Sequence, residues 1–227
     1  MRLLLIDHGC CDPPGTRAHR CRRRLEELGV PTSVCGPASV PNLVEQQRGM
    51  HGIHLADIAA ASRPFLEAVV NGSPESFLAA VATISPGLLG LIREAARQTV
   101  AEAVDASDPD AIFVLHAGIF TDLAIETGIP VAVHVSATDL DAAGRTTAMR
   151  ELVAAALGSC DVVVAADRAT AELLDGQWLP TDALSAAAWA APPAAWPTGP
   201  DWADSPGCAG TIAAACRSAL ARRRGPG

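Results

Sequence analysis

The chain has 227 residues, a formal net charge of −8 and 49% hydrophobic residues. That length suits one large domain, or one domain plus an extension, and the acidic balance argues against a general nucleic-acid binder. The sequence holds no lysine and no tyrosine, which excludes a Schiff-base lysine with ordinary pyridoxal chemistry and excludes the P-loop lysine.

No apolar run approaches the roughly 20 residues of a membrane span. The opening MRLLLIDHG meets Asp7 too soon for a signal peptide, so a cytoplasmic protein is expected. The cysteines are Cys10, Cys11, Cys21, Cys35, Cys160, Cys208 and Cys216. None forms a CxxC and their number is odd, so they are expected as small, inert thiols rather than a disulfide framework.

In chain order, LLLIDHG is a buried strand of the parallel type. It runs into GCCDPPGT, which must turn. Thr16 is placed to cap a helix with the apolar stripe Ala18, Cys21, Leu25, Leu28, ended by Gly29 and Pro31. TSVCG is a second, shorter strand. From Pro37 to about Ser62 the pattern weakens, and Gln46, Arg48, His51 and His54 read as a polar, solvent-facing segment. FLAAVATI reads as a short helix. A stronger helix follows, capped by Ser85 with Pro86 in its first position, and Leu88, Leu91, Ile92, Ala95, Ala96 and Thr99 line one face.

Residues 110–140 then form a strand–helix–strand unit: AIFVLH, TDLAIET closed by Gly128 and Pro130, and VAVHVS. Helix, strand (CDVVVAA) and helix (RATAELLDG) follow, and 177–179 reads as a last short strand. The alternation predicts an α/β, Rossmann-like, doubly wound and mainly parallel sheet over residues 1–179. Residues 180–227 read as a Trp-, Pro- and Ala-rich extension ending in a helix, with Cys208, Ile212, Cys216 and Leu220 in line. All four tryptophans fall between 178 and 202.

Ligands of open parallel sheets sit off the carboxyl ends of the strands. The polar clusters there are Asp7-His8-Gly9, His116-Ala117-Gly118 and Ser136-Ala137-Thr138-Asp139. The run Arg17, His19, Arg20, Arg22, Arg23, Arg24 is partly a solvated face, because Arg22–Glu26 and Arg23–Glu27 are helical pairs. Arg17 and Arg20 have no such partner on the helix; they either join that face or meet an anionic group. His8 reads either as a base or hydroxyl ligand or as a loop histidine bonded to backbone. His134 lies deeper in its strand, on the same side as Ser136, and reads either as a core histidine or as a site residue. The pair His51-x-x-His54 with Asp57 would suit a metal only on a helix, and no convincing ligand set completes it, so no metal is expected.

The ordered set LLLIDHG, DPDAIFVLHAG, ETGIPVAVHVSATDL and ALGSCDVVVAADRATAELL resembles the N-terminal domain of GT-B glycosyltransferases of the family 4 type. In that family the pattern is roughly "D-V-I-H-x-H", "G-I-P-V-V-x-T-x-H-G-x-D" and "A-D-x-V-I-A-x-S". The resemblance implies a single GT-B half, the acceptor-binding side, lacking the C-terminal donor domain. It implies a nucleotide sugar as co-substrate with no other cofactor, a sugar acceptor, and as partner a separate donor-domain subunit or a homodimer. On this reading His116, His134 and Asp139 are the catalytic candidates. His8, Gly9, Gly15, Arg17, Arg20, Gly118 and Ser136 are the substrate-binding candidates. Aligning on Thr138-Asp139 puts Ser136 where the family has its histidine. The family's donor-side E-x7-E finds only formal matches at Glu67/Glu75 and Glu94/Glu102. Two other readings stand beside this one. One is a non-catalytic sugar- or small-ligand-binding module. The other is a truncated, inactive glycosyltransferase, because the shift in composition after Leu179 resembles out-of-frame reading of a GC-rich gene.

Overall fold

Four short runs, apolar but for His134, build the centre of the protein. In the computed structural model, which describes residues 1–9, 16–38, 49–55, 65, 67–68, 74–179, 188–189 and 206–225, these are β1 (Leu3–Ile6), β4 (Ala111–Val114), β5 (Val131–Val135) and β6 (Val162–Ala165). Nearly every side chain in them is buried, as strands covered on both faces require. Flanking them are β2 (Thr32–Ala38), β3 (Met50–His54) and the two-residue β7 (Ala188–Trp189). All neighbours pair in parallel, in the order β3-β2-β1-β4-β5-β6-β7. This is the doubly wound Rossmann order. The chain leaves β1 toward one edge, returns to β4 on the other side of β1, and so makes a switch point between those two strands.

Alternation along each strand sorts the core onto two faces. Leu4, Ile6, Ile112, Val114, Val131 and Val133 face one side. There they meet α2 (Pro74–Val81), α3 (Pro86–Ser107), α4 (Thr121–Glu126), α5 (Ala137–Gly144), α6 (Thr147–Ser159) and α7 (Arg168–Gln177). Leu3, Leu5, Ala111, Phe113 and Val162 face the other, against α1 (Arg17–Glu27) and α8 (Pro206–Arg224). Thus the described parts of the C-terminal segment both join this sheet, one as an edge strand and one as a covering helix.

Four expectations about elements differ from the structure. Residues 50–54 form strand β3, at the sheet edge. His51 is therefore half-buried while His54 is exposed, because residues three apart on a strand face opposite sides, so the pair cannot converge on one ion. Asp57 lies outside the described residues, and no cluster of three metal-ligating side chains occurs among those described. Residues 177–179 do not make a strand: Asp175 and Gly176 leave helical geometry, only one bridge joins Asp175 to Leu179, and the pairing beside β6 is made by Ala188–Trp189. Leu28 leaves the α1 stripe because the helix ends at Glu27 and Gly29 turns at φ 74; Leu28 is 59% exposed. On α3 the buried row is Ile92, Ala96, Val100 and Ala103, and Leu91 lies outside it. The Ser85 cap is present, its hydroxyl accepting the Leu88 N–H at 3.3 Å. The described cysteines, Cys21, Cys35, Cys160, Cys208 and Cys216, are buried free thiols, and burial pushes Cys35 up to about 12. Cys10 and Cys11 lie outside the described residues. No described helix is long and apolar enough to cross a membrane.

Candidate functional site

The switch point gathers side chains from three strand ends. β1 delivers Asp7, His8 and Gly9; β4 delivers His116 and Gly118; β5 delivers His134 and then Asp139 on the first turn of α5. Asp7, His8, His116, His134 and Asp139 are each 2% exposed or less. A buried carboxylate persists only when it is paired. Asp7 accepts the Gly9 N–H at 3.0 Å. Asp139 is held from two sides: Oδ2 accepts the Ser136 N–H at 2.9 Å, and Oδ1 lies 3.0 Å from His116 Nδ1.

Ser136 and Asp139 form a reciprocal capping box at the start of α5, the Ser136 hydroxyl accepting the Asp139 N–H. The same Ser136 hydroxyl lies 2.8 Å from Thr138 Oγ1. The cap orients the Asp139 carboxylate toward the end of β4. That explains why a residue at the third helical position, rather than one on the strand, partners His116.

His116 also bonds to Arg17 through Nε2. A guanidinium can only donate, so Nε2 accepts and Nδ1–H donates to Asp139. The imidazole is therefore held neutral in a single tautomer, with a carboxylate behind it. Burial pulls its pKa down, but the Asp139 charge and hydrogen bond, together with the Asp7 charge, outweigh burial and the opposing Arg17, leaving it raised. For Asp139, burial pushes the carboxyl up, and the charge and hydrogen bond of His116 with those of its other partners carry it below its ordinary value. A carboxylate that fixes the tautomer and strengthens the basicity of an imidazole is a general-base arrangement.

The other two histidines are neutral for a different reason. Burial lowers His8 to about 3, with the His116 charge acting the same way and Asp139 opposing. Burial lowers His134 to about 4. The Phe120 N–H donates to His8 Nε2 at 3.2 Å, so Nδ1 carries the proton; Nδ1 has no hydrogen-bond partner among the described residues. The His8 ring stacks on Phe120 at 4.5 Å. It also explains Gly118: a Cβ there would stand 2.6 Å from His8 Nε2 and 2.5 Å from Leu78 Cδ2. His134 Nδ1 donates to the Leu115 carbonyl at 3.2 Å, and its ring meets His116 edge-on at 6.2 Å.

Of the expected site residues, the structure brings His116, Asp139 and Arg17 into one hydrogen-bonded chain. His134, His8, Gly118 and Gly9 lie around it. Ser136 spends its hydroxyl on the α5 cap and on Thr138. Arg20 lies on the first turn of α1 and is partly buried. Gly15 lies outside the described residues. Sequence reasoning missed Phe120, the platform for His8, and Thr121, whose hydroxyl accepts the Gly118 N–H at 3.0 Å. The signal was local: Gly118 followed within three residues by an aromatic and a capping-type hydroxyl.

No known protein family matches the sequence, and no curated protein does. Among solved structures, glycosyltransferase SsfS6 of Streptomyces sp. SF2575, in complex with thymidine diphosphate, is similar at 12% identity and a TM-score of 0.42. That match covers 72% of this chain and 48% of that one. The UDP-GlcNAc 2-epimerase of Neisseria meningitidis, bound to UDP-GlcNAc, is similar at 15% identity and a TM-score of 0.41, over 80% of this chain and 44% of that one. The chain thus spans about half the length of these structures.

Proposed function

We propose that this chain is the acceptor-binding half of a glycosyltransferase, with His116 as general base and Asp139 as the carboxylate that orients it. The observation that carries the reading is the His116–Asp139 pair, 3.0 Å apart at the sheet's switch point. Glycosyl transfer needs a hydroxyl made nucleophilic beside a sugar carbon that carries a good leaving group. In the proposed step the acceptor O–H proton passes to His116 Nε2, and the oxygen bonds to the anomeric carbon. The bond from that carbon to the diphosphate breaks, and its electron pair leaves with the nucleoside diphosphate. Asp139 stabilises the imidazolium that results. A separate donor-binding subunit or a second copy supplies the nucleotide-sugar site. The nucleotide sugar is the co-substrate, and no metal is required of these residues.

A specific observation favours a second reading, a sugar-binding module without catalysis. Both members of the pair are buried and Arg17 fills the base's lone pair, so the base as it stands is not free to take a proton. One experiment divides the two. The purified chain is incubated with UDP-, dTDP- and GDP-sugars, alone and with lysate of the producing cells, and nucleoside diphosphate release is followed. A His116→Gln chain in the same lysate is the control. Release that depends on His116 supports transfer. Sugar binding with no His116-dependent release supports the module and overturns the transferase.

A further inference from the structure

Arg17 occupies the atom that the proposed chemistry needs. Its guanidinium donates to His116 Nε2, and a lone pair engaged by an arginine cannot take a proton from a hydroxyl. Yet the two residues differ in access: His116 is buried, whereas Arg17, the first residue of α1, is partly exposed. Arg17 is thus the more exposed residue of the pair.

Two features beside Arg17 suit an anion. The N-cap Thr16 makes no side-chain bond to the first turn of α1, and that turn holds no acidic residue, so the positive end of the helix dipole lies beside Arg17 without a carboxylate on that turn. The Thr16 hydroxyl oxygen is buried without a hydrogen-bond partner among the described residues. Independently, the wholly buried His8 at the end of β1 holds an Nδ1–H with no partner among those residues.

We infer that Arg17 is a displaceable cap on His116, and that a diphosphate-class anion engaging Arg17 frees the imidazole lone pair. The inference rests on reading His116–Asp139 as the base pair, and it deepens that reading: the leaving group of the reaction would also be what switches the base on. Bidentate pairing with phosphate oxygens is the stronger claim on a guanidinium than one imidazole nitrogen. Moving the Arg17 cation away from His116 removes a charge that opposes its protonation and brings a negative group nearer, so both changes raise its basicity. The groups facing His116 are Asp7 and His8 from β1, Arg17 from α1, His134 from β5 and Asp139 from α5. Of these, only Arg17 is partly exposed.

The test follows His116 directly, without reference to activity. The full chain is labelled with ¹⁵N-histidine, the His116 signals are identified by their loss in His116→Gln, and pyrophosphate is titrated in. The expected result is a change at Nε2 and a titration of His116 moved to higher pH, with no such change from chloride at equal ionic strength. Arg17→Met should show the raised titration without pyrophosphate and no further response to it. A wild-type His116 that ignores pyrophosphate overturns the cap, and this result stands whether or not Arg17→Met folds. If His116 responds but no nucleoside diphosphate is ever released, the glycosyltransferase reading falls and the cap remains. Release with an unresponsive His116 does the reverse.

Discussion

Two residues decide whether the site can be assembled. Gly118 is glycine because the His8 ring and Leu78 occupy the space a Cβ would need, at 2.6 and 2.5 Å. Gly118→Ala must push aside a ring already held by the Phe120 N–H and by stacking. Such overpacking costs about 1–3 kcal/mol, so a lower urea midpoint is expected, together with a shifted His8 signal. An unchanged midpoint would mean that the ring moves without resistance. Asp139→Asn separates charge from shape. The amide oxygen still accepts the Ser136 N–H, so α5 stays capped, but the carboxylate charge that raises His116 is gone. His116-dependent turnover should then fall by about a hundredfold or more. The acidic limb of its pH profile should move to lower pH, because a less basic imidazole stays deprotonated further down. A profile that keeps its position would remove Asp139 from the proposed base pair.

At the scale of elements, α8 is the informative one. Cys208, Ile212 and Cys216 are fully buried against the face of the sheet that α1 covers only in part. Ile212→Ala should therefore cost about 2–5 kcal/mol, read as a fall in denaturant midpoint for the whole chain. A loss confined to the helix signal would show that α8 folds apart from the sheet. The stripe on α8 was legible in the sequence because its apolar residues repeat at helical spacing. So were β1, β4, β5 and β6, because a strand covered on both faces reads as a nearly continuous apolar run, interrupted in β5 by His134. β3 was not: only Met50 and Ile53 of MHGIH are buried, and an edge strand with glycine and two histidines carries no period. The site divides in the same way. His116, His134, Asp139 and His8 were legible as polar residues at strand ends. The Arg17–His116 bond was not, because 99 residues separate the partners and only the parallel sheet brings them together.

For the molecule as a whole, the site makes stability depend on pH, and the sign follows from which histidines are buried neutral. His8 and His134 are lowered by burial to about 3 and about 4, from an ordinary 6.5. Below pH 6.5 the unfolded chain binds protons at both positions while the folded chain does not, so stability falls as pH falls. The contribution is complete above 6.5 and is lost progressively down to those lowered values. Asp139, held below its ordinary 3.8, adds a loss only at more acid pH, as its own folded value is crossed. His116 runs the other way: its raised pKa contributes fully below 6.5 and fades as pH rises through the folded value. The acid side of the stability curve between about pH 6.5 and pH 4 is therefore carried chiefly by His8 and His134, with His51, which burial also lowers, acting in the same direction. It should amount to a few kcal/mol. Urea midpoints measured across that window should decline steadily. In His134→Gln, which removes one of the two titrating rings, the slope should drop by about one proton. A slope that His134→Gln leaves intact would mean that His134 is protonated in the fold. That outcome would leave the Nδ1–H bond to the Leu115 carbonyl in place but would set a buried positive charge beside the His116 ring.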